Sequence, residues 1–182
     1  TVVPEEKKVY LAFNKPRGIV CTAEKREKNN VIDYLSYPVR IYPVGRLDKD
    51  SEGLLLMTND GAIVNGIMRA RNRHEKEYQV EVNKEITPEF LKKMASGVPI
   101  LDTVTRPCRI RKTGERSFTI ILTQGLNRQI RRMCEALGYR VTKLKRVRIM
   151  NIHLKDLKTG EYRPLTEKEL AELKKQIGEE KR

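Results

Sequence analysis

Apolar positions along this chain recur in two rhythms. From Lys76 to Val82 they alternate, with Tyr78, Val80 and Val82 on one side and charged or polar groups on the other, the pattern of a half-buried strand. Ser117 to Leu122 repeats it with Phe118, Ile120 and Leu122, and a further strand is expected over Arg106 to Arg111, across the turn Lys112-Thr113-Gly114-Glu115. Val9 to Phe13 reads as another strand, stopped by the loop Asn14-Lys15-Pro16-Arg17-Gly18. Leu54 to Met57 is a short apolar run bounded by turn residues, as a buried strand would be.

The second rhythm is helical. Ile130, Met133, Cys134 and Leu137 fall at i, i+3, i+4 and i+7, between a candidate N-cap at Asn127 and a stop at Gly138. Thr87-Pro88 opens a helix with Phe90, Leu91 and Met94 as its stripe and Gly97 at its end. Asn59-Asp60-Gly61 can cap a helix from about Ala62 to Arg69, and Val31 to Leu35 fits a short one. Thr166-Glu167-Lys168-Glu169 is a capping box ahead of Leu170, Leu173 and Ile177, read as a packing helix. Several strands, few helices and long turns predict an α+β domain around a mixed, mostly antiparallel sheet flanked by helices and loops.

Composition narrows the function. With 182 residues the chain is one ordinary domain or two small lobes, and 38 Lys and Arg against 24 Asp and Glu leave a net charge of +14. Nucleic acid is the partner such a folded, basic chain most often meets, with a membrane surface or an acidic partner as the other options. No apolar run approaches the ~20 residues that cross a bilayer, and no signal peptide is visible. Cys21, Cys108 and Cys134 are odd in number and far apart, which predicts reduced thiols in a cytoplasmic protein. With His74 and His153 as the only histidines, no zinc-finger spacing exists and no metal site is expected. Neither a P-loop nor a dinucleotide fingerprint occurs, so no cofactor is expected.

Candidate chemistry concentrates in two places. Gly45 to Gly61 reads G-R-L-D-K-D-S-E-G-L-L-L-M-T-N-D-G, placing Asp48 in a tight loop at the mouth of the buried strand with Arg46 and Lys49 beside it. On spacing alone this is a charged loop capping a strand. Between Gly125 and Met150 lie Arg128, Arg131, Arg132, Arg140, Lys143, Lys145, Arg146 and Arg148 against Glu135 alone. Val141, Leu144, Val147 and Ile149 interleave with them, so the charge sits on a folded surface and reads as a phosphate-tracking patch. Arg131 falls on the flank of its helix, where a guanidinium can turn inward to a carboxylate.

The motifs resemble one family in order. G-R-L-D-x-x-S-x-G-L-L at Gly45, K-x-Y-x-V at Lys76 and G-x-N-R-Q-I-R-R-M at Gly125, with N-K-P-x-G at Asn14 and L-K-R-V-R-I at Leu144, are similar to the pseudouridine synthases, in the RsuA/RluB/RluE/RluF-type branch that modifies ribosomal RNA. The resemblance covers roughly Val9 to the C-terminus and implies the pseudouridine synthase fold, with sub-lobes at about 9–74 and 75–165. It implies an isomerase that converts a uridine of large-subunit ribosomal RNA to pseudouridine, with transfer RNA as a second candidate substrate, and no cofactor. Asp48 would be the essential carboxylate, Arg131 its pairing partner and Tyr78 the ring beside the target base. RNA contacts are expected from Arg46, Lys15, Arg17, Asn127, Arg128, Arg132, Lys143, Lys145, Arg146 and Arg148. Residues 1–8 read as a linker remnant, and an S4-like RNA-binding domain that members usually carry upstream is expected to have been removed. A monomer is expected.

Two rivals belong to other classes. A non-catalytic RNA-binding or ribosome-assembly protein explains the charge but gives Asp48 and Tyr78 no task. An RNA-cleaving hydrolase could use Asp48 and Asp50 as a metal-chelating pair, and would then be sensitive to EDTA.

Overall fold

The computed structural model describes residues 7–179, so most of the expected linker remnant lies outside the described residues. Its elements are β1 (Tyr10–Lys15), α1 (Val31–Leu35), β2 (Tyr42–Pro43), β3 (Glu52–Thr58), α2 (Gly61–Arg69), β4 (Lys76–Val82), α3 (Pro88–Ser96), β5 (Pro99–Ile100) and β6 (Thr103–Val104). The second half adds β7 (Arg109–Gly114), β8 (Ser117–Leu122), α4 (Gln129–Ala136), β9 (Val141–Ile149), β10 (Ile152–His153), β11 (Tyr162–Pro164) and α5 (Glu167–Glu179).

One sheet runs β11-β1-β3-β9-β4-β8-β7, with β2 paired to β3 and β10 to β9; β5 and β6 form a hairpin apart from it. Among the described residues every pairing in that sheet is antiparallel except β3 with β9, which run parallel over Glu52↔Lys145 and Gly53↔Arg146. The fold class is the α+β arrangement expected.

β3 explains why its sequence is a continuous apolar run. Leu54 and Leu56 pack with α2 and α5 through Ile63, Leu173 and Ile177, while Leu55 and Met57 pack on the other face with Leu11, Phe13, Leu47 and Val31. A strand covered on both faces has no polar side to show. The parallel junction with β9 also fixes a motif residue. A Cβ on Gly53, whose φ is +110°, would collide with the Arg146 carbonyl, so this close approach admits only glycine. Around β4, β8 and β9 a further core forms from Val80, Phe118, Ile120, Met133 and Leu144 with Phe90 and Met94 of α3.

The helix signals in the sequence translate into hydrogen bonds. Thr87 Oγ1 accepts from Phe90 N at 3.1 Å, Asp60 Oδ1 from Ala62 N at 3.1 Å, and Thr166 and Glu169 exchange backbone-to-side-chain bonds at 2.9 and 3.1 Å.

Three boundaries differ from expectation. β1 continues through Asn14 and Lys15 instead of giving way to a loop after Phe13, because both residues pair with β3. β7 begins at Arg109 instead of Arg106, since Pro107 has no N–H to give a ladder and the Arg106 N–H goes to Gln124 Oε1. The N-cap of α4 is Arg128, in a left-handed conformation with φ 49°, because the Asn127 side chain instead accepts from Arg132 Nη2.

Candidate active site

The loop between Gly45 and Ser51 is strapped from several sides. Leu47 is buried in the core beneath it, and Ser51 N–H donates to the Asp48 carbonyl at 3.0 Å, closing the turn. Lys15 is fully buried, and its Nζ donates to Ser51 O at 2.8 Å and Pro16 O at 2.9 Å, with Lys49 O at 3.5 Å. Burial pushes the Lys15 amine down to about 8. Arg131 reaches in from α4, its Nη2 donating to Asp50 O at 3.1 Å and Ser51 Oγ at 3.0 Å. Asp48, half-buried, is thereby held at the edge of a cavity of about 510 Å³, a size typical of small-ligand sites.

Tyr78 on β4 lines the same cavity, as do Arg46, Arg128, Arg131, Leu126 and Leu144. The structure therefore brings Asp48, Tyr78, Arg131 and Arg46 together, from segments far apart in sequence. It changes their pairing. The guanidinium nearest Asp48 is that of Arg128, with Nη1 3.3 Å from Oδ2, not that of Arg131 as expected. Arg128 also holds Asp50 in a bidentate pair at 3.1 and 2.9 Å. Arg131 Nη1 lies 3.6 Å from Asp50 Oδ2. The reason is the helix start: the left-handed turn at Arg128 swings its side chain toward the 45–51 loop, and Arg131 spends its donors on that loop's backbone and on Ser51. Hydrogen bonds from Arg128 hold the Asp50 carboxyl below its usual range against the opposing effect of burial.

The expected RNA contacts divide in the same way. Arg46, Arg17, Asn127 and Lys143 are exposed, and Lys145 and Arg132 half-exposed. Lys15 is a correction, and Arg146 and Arg148 are already engaged within the protein. Lys15 has no exposed surface and secures the catalytic-loop candidate. Arg146 is buried, with Nε donating to Leu54 O at 2.9 Å, and reaches only the cavity wall. Arg148 is ion-paired to Glu75 at 3.0 Å and Glu77 at 3.3 Å. Reading along the chain does not show these engagements, because the partner of each lies far away in sequence.

A second wall of the cavity has no counterpart among the expected site residues. The connector after α2 brings Arg71, His74 and Glu75 to it, and Lys76 at the start of β4 joins them beside Gly125. Its signal in the sequence is the basic run Arg69 to His74 and the lysine two residues before Tyr78.

With this geometry in view, similarity to known proteins becomes informative. The family model for RNA pseudouridylate synthase matches residues 9–136, and the chain belongs to that family. It is 56% identical over 169 residues to dual-specificity RNA pseudouridine synthase RluF of Salmonella typhi, covering 93% of this chain and 58% of that protein. It is 36% identical to ribosomal large subunit pseudouridine synthase B of Bacillus subtilis, covering 94% of this chain and 74% of that protein. A solved crystal structure of a pseudouridylate synthase superposes with a TM-score of 0.85 at 30% identity, covering 93% of this chain and 75% of the other. The chain thus spans little more than half the length of the RluF relatives it matches.

Proposed function

We propose that this chain isomerises uridine to pseudouridine in large-subunit ribosomal RNA, with Asp48 as the essential carboxylate. One observation carries the reading: Asp48 is fixed by a doubly strapped loop at a nucleoside-sized cavity that it shares with Tyr78, inside a basic surface.

A base in structured RNA must first leave its stack to reach such a cavity. Arg46, exposed on the rim, is placed to fill the space left by the flipped nucleotide or to contact its phosphate. The N1–C1′ bond then breaks, the base turns, and C5 bonds to C1′. The C5 proton leaves and N1 gains one, so the composition is unchanged and no redox partner is required. Asp48 acts on the ribose as nucleophile or as base, and either role needs an accessible carboxylate oxygen. Oδ1 meets that need, since Arg128 sits at Oδ2 and Oδ1 has no partner among the described residues. Arg131 positions Asp48 through the loop, and its Nε has no hydrogen-bond partner among the described residues, leaving a donor in reserve. Tyr78 supplies a ring for the uracil to stack on.

Tritium release from ribosomal RNA labelled at uracil C5 tests the reading. Release by the native chain and none by Asp48→Asn, at equal RNA affinity, is the expected result. Equal binding with no release by either protein would favour the non-catalytic RNA-binding alternative. Transfer RNA labelled in the same way, run beside ribosomal RNA, reads whether it too is a substrate.

A further inference from the structure

The second cavity wall carries charge that the protein itself leaves unpaired. Lys76 Nζ donates to the Arg71 carbonyl at 2.6 Å, and Arg106 Nη1 donates to the next carbonyl, that of Asn72, at 2.6 Å. The Asn72 side chain in turn accepts from Gly125 N at 3.3 Å, tying the connector to the loop that leads into α4. Gly125 lies directly against the Lys76 amine, where a Cβ would stand 3.5 Å from Nζ. So one turn of backbone gathers three cations: Arg71 and Lys76, which line the cavity, and Arg106, bonded to the same connector.

Among the described residues none of the three has a carboxylate within ion-pair distance. The acids that flank Lys76 along the chain are already taken, Glu75 by Arg109 and Arg148 and Glu77 by Arg148. Burial, followed by the neighbouring charges of Arg146, Arg71 and Arg106, lowers the Lys76 amine to about 8. Elsewhere in the site the protein supplies a counter-charge: Arg128 has Asp48 and Asp50. A cation cluster that the fold gathers but does not neutralise suits an anion delivered by a ligand.

We infer that Arg71, Lys76 and Arg106 form a phosphate subsite for the RNA backbone next to the nucleotide held at Asp48. The inference rests on the isomerase reading for the identity of the nucleotide, but its test does not. A phosphate entering between the connector and Gly125 would meet Lys76 and Arg71 at the cavity wall and Arg106 on the connector beside them. Held there, it would fix the strand's path while the base is inserted.

The experiment measures binding of large-subunit ribosomal RNA across a salt series, in the Asp48→Asn background so that no turnover intervenes. Lys76→Met and the double variant Arg71→Ala/Arg106→Ala are each expected to weaken binding about tenfold. Each should also lower the slope of log K against log salt by about one for every phosphate no longer held. Lys76→Arg, which keeps the charge, is expected to recover most of the affinity. In chains with Asp48 intact, Lys76→Met should raise KM for tritium release far more than it lowers kcat. Unchanged affinity and salt slope in both the Met and the double variant would overturn the subsite. So would a fall in kcat with an unchanged slope, which would make Lys76 a contact to the base. Absence of tritium release from the native chain, with the salt-slope change still present, would sink the isomerase reading and leave the subsite standing.

Discussion

Two lysines, one beneath the Asp48 loop and one lining the cavity, show how differently a fold can use the same side chain. Both sit in family motifs, and burial lowers both amines to about 8. Lys15 is spent inward, its amine bonded to the carbonyls of Pro16 and Ser51 beneath the Asp48 loop. Lys76 makes one carbonyl bond and otherwise faces other cations and the cavity. The wall that bears the carboxylate is strapped by the protein's own cations, Lys15, Arg128 and Arg131, each bonded to the 45–51 loop, whereas the wall that bears Lys76 gathers cations without a carboxylate partner. The former should therefore govern turnover and stability, and the latter affinity.

The sharpest way to break that division is Asp48→Asn. It is expected to cost on the order of 10³-fold or more in kcat while RNA affinity stays within about twofold. Tritium release paired with filter binding reads both quantities, and a parallel loss of affinity would contradict the division. Next in size is Lys15→Met, which leaves buried carbonyls without a donor and should destabilise the fold by about 2–4 kcal/mol. Lys76→Met should leave the urea midpoint nearly unmoved, so similar losses in the two variants would erase the contrast. The two arginines of α4 come third. Arg131→Met should lower kcat about 10–100-fold because the loop loses its strap, and Arg128→Met less than tenfold because it is exposed and holds only the Asp48 and Asp50 side chains. The reverse order would make Arg128 the partner that matters.

The smallest effect concerns pH. Arg71, His74 and Glu75 of the connector, Arg106, and Arg146 of β9 surround Lys76, and Arg109 and Arg148 keep Glu75 engaged. With the amine at about 8 in the unliganded protein, its positive charge is present below that pH and lost above it. RNA affinity should then fall by up to about tenfold as pH rises from 7 to 9.5, and Lys76→Arg should flatten the profile. A native profile as flat as that of Lys76→Arg would remove Lys76 from phosphate binding.

Much of this is legible in the sequence. Local rules locate helix starts such as those at Thr87 and Thr166, because a cap needs only residues three positions apart, but they miss the start of α4, where Asn127 is not the cap. Period-two alternation finds β4 and β8, and the unbroken Leu54–Met57 run announces a strand buried on both faces. Motif order points to the family, and to Asp48 and Tyr78 as neighbours across the cavity. Reading Asn14 to Gly18 as a loop misjudges Lys15 as an RNA contact, and a count of charges between Gly125 and Met150 does not show that Arg146 and Arg148 are held by protein partners.

What the sequence determined by itself was therefore local geometry, the covering of strand faces and the chemistry on offer, all set by spacing along the chain. Only the tertiary structure decided which cations are consumed. Lys15 meets Ser51 at a separation of 36 residues, Arg146 meets Leu54 at 92, and Arg128 reaches Asp50 at 78. Each such meeting replaces solvation with a specific hydrogen bond, and whether it forms depends on how β3 and β9 are brought side by side. Arg71, Lys76 and Arg106 are among the charges left over after those meetings, together with exposed cations such as Arg17, Arg46 and Lys143.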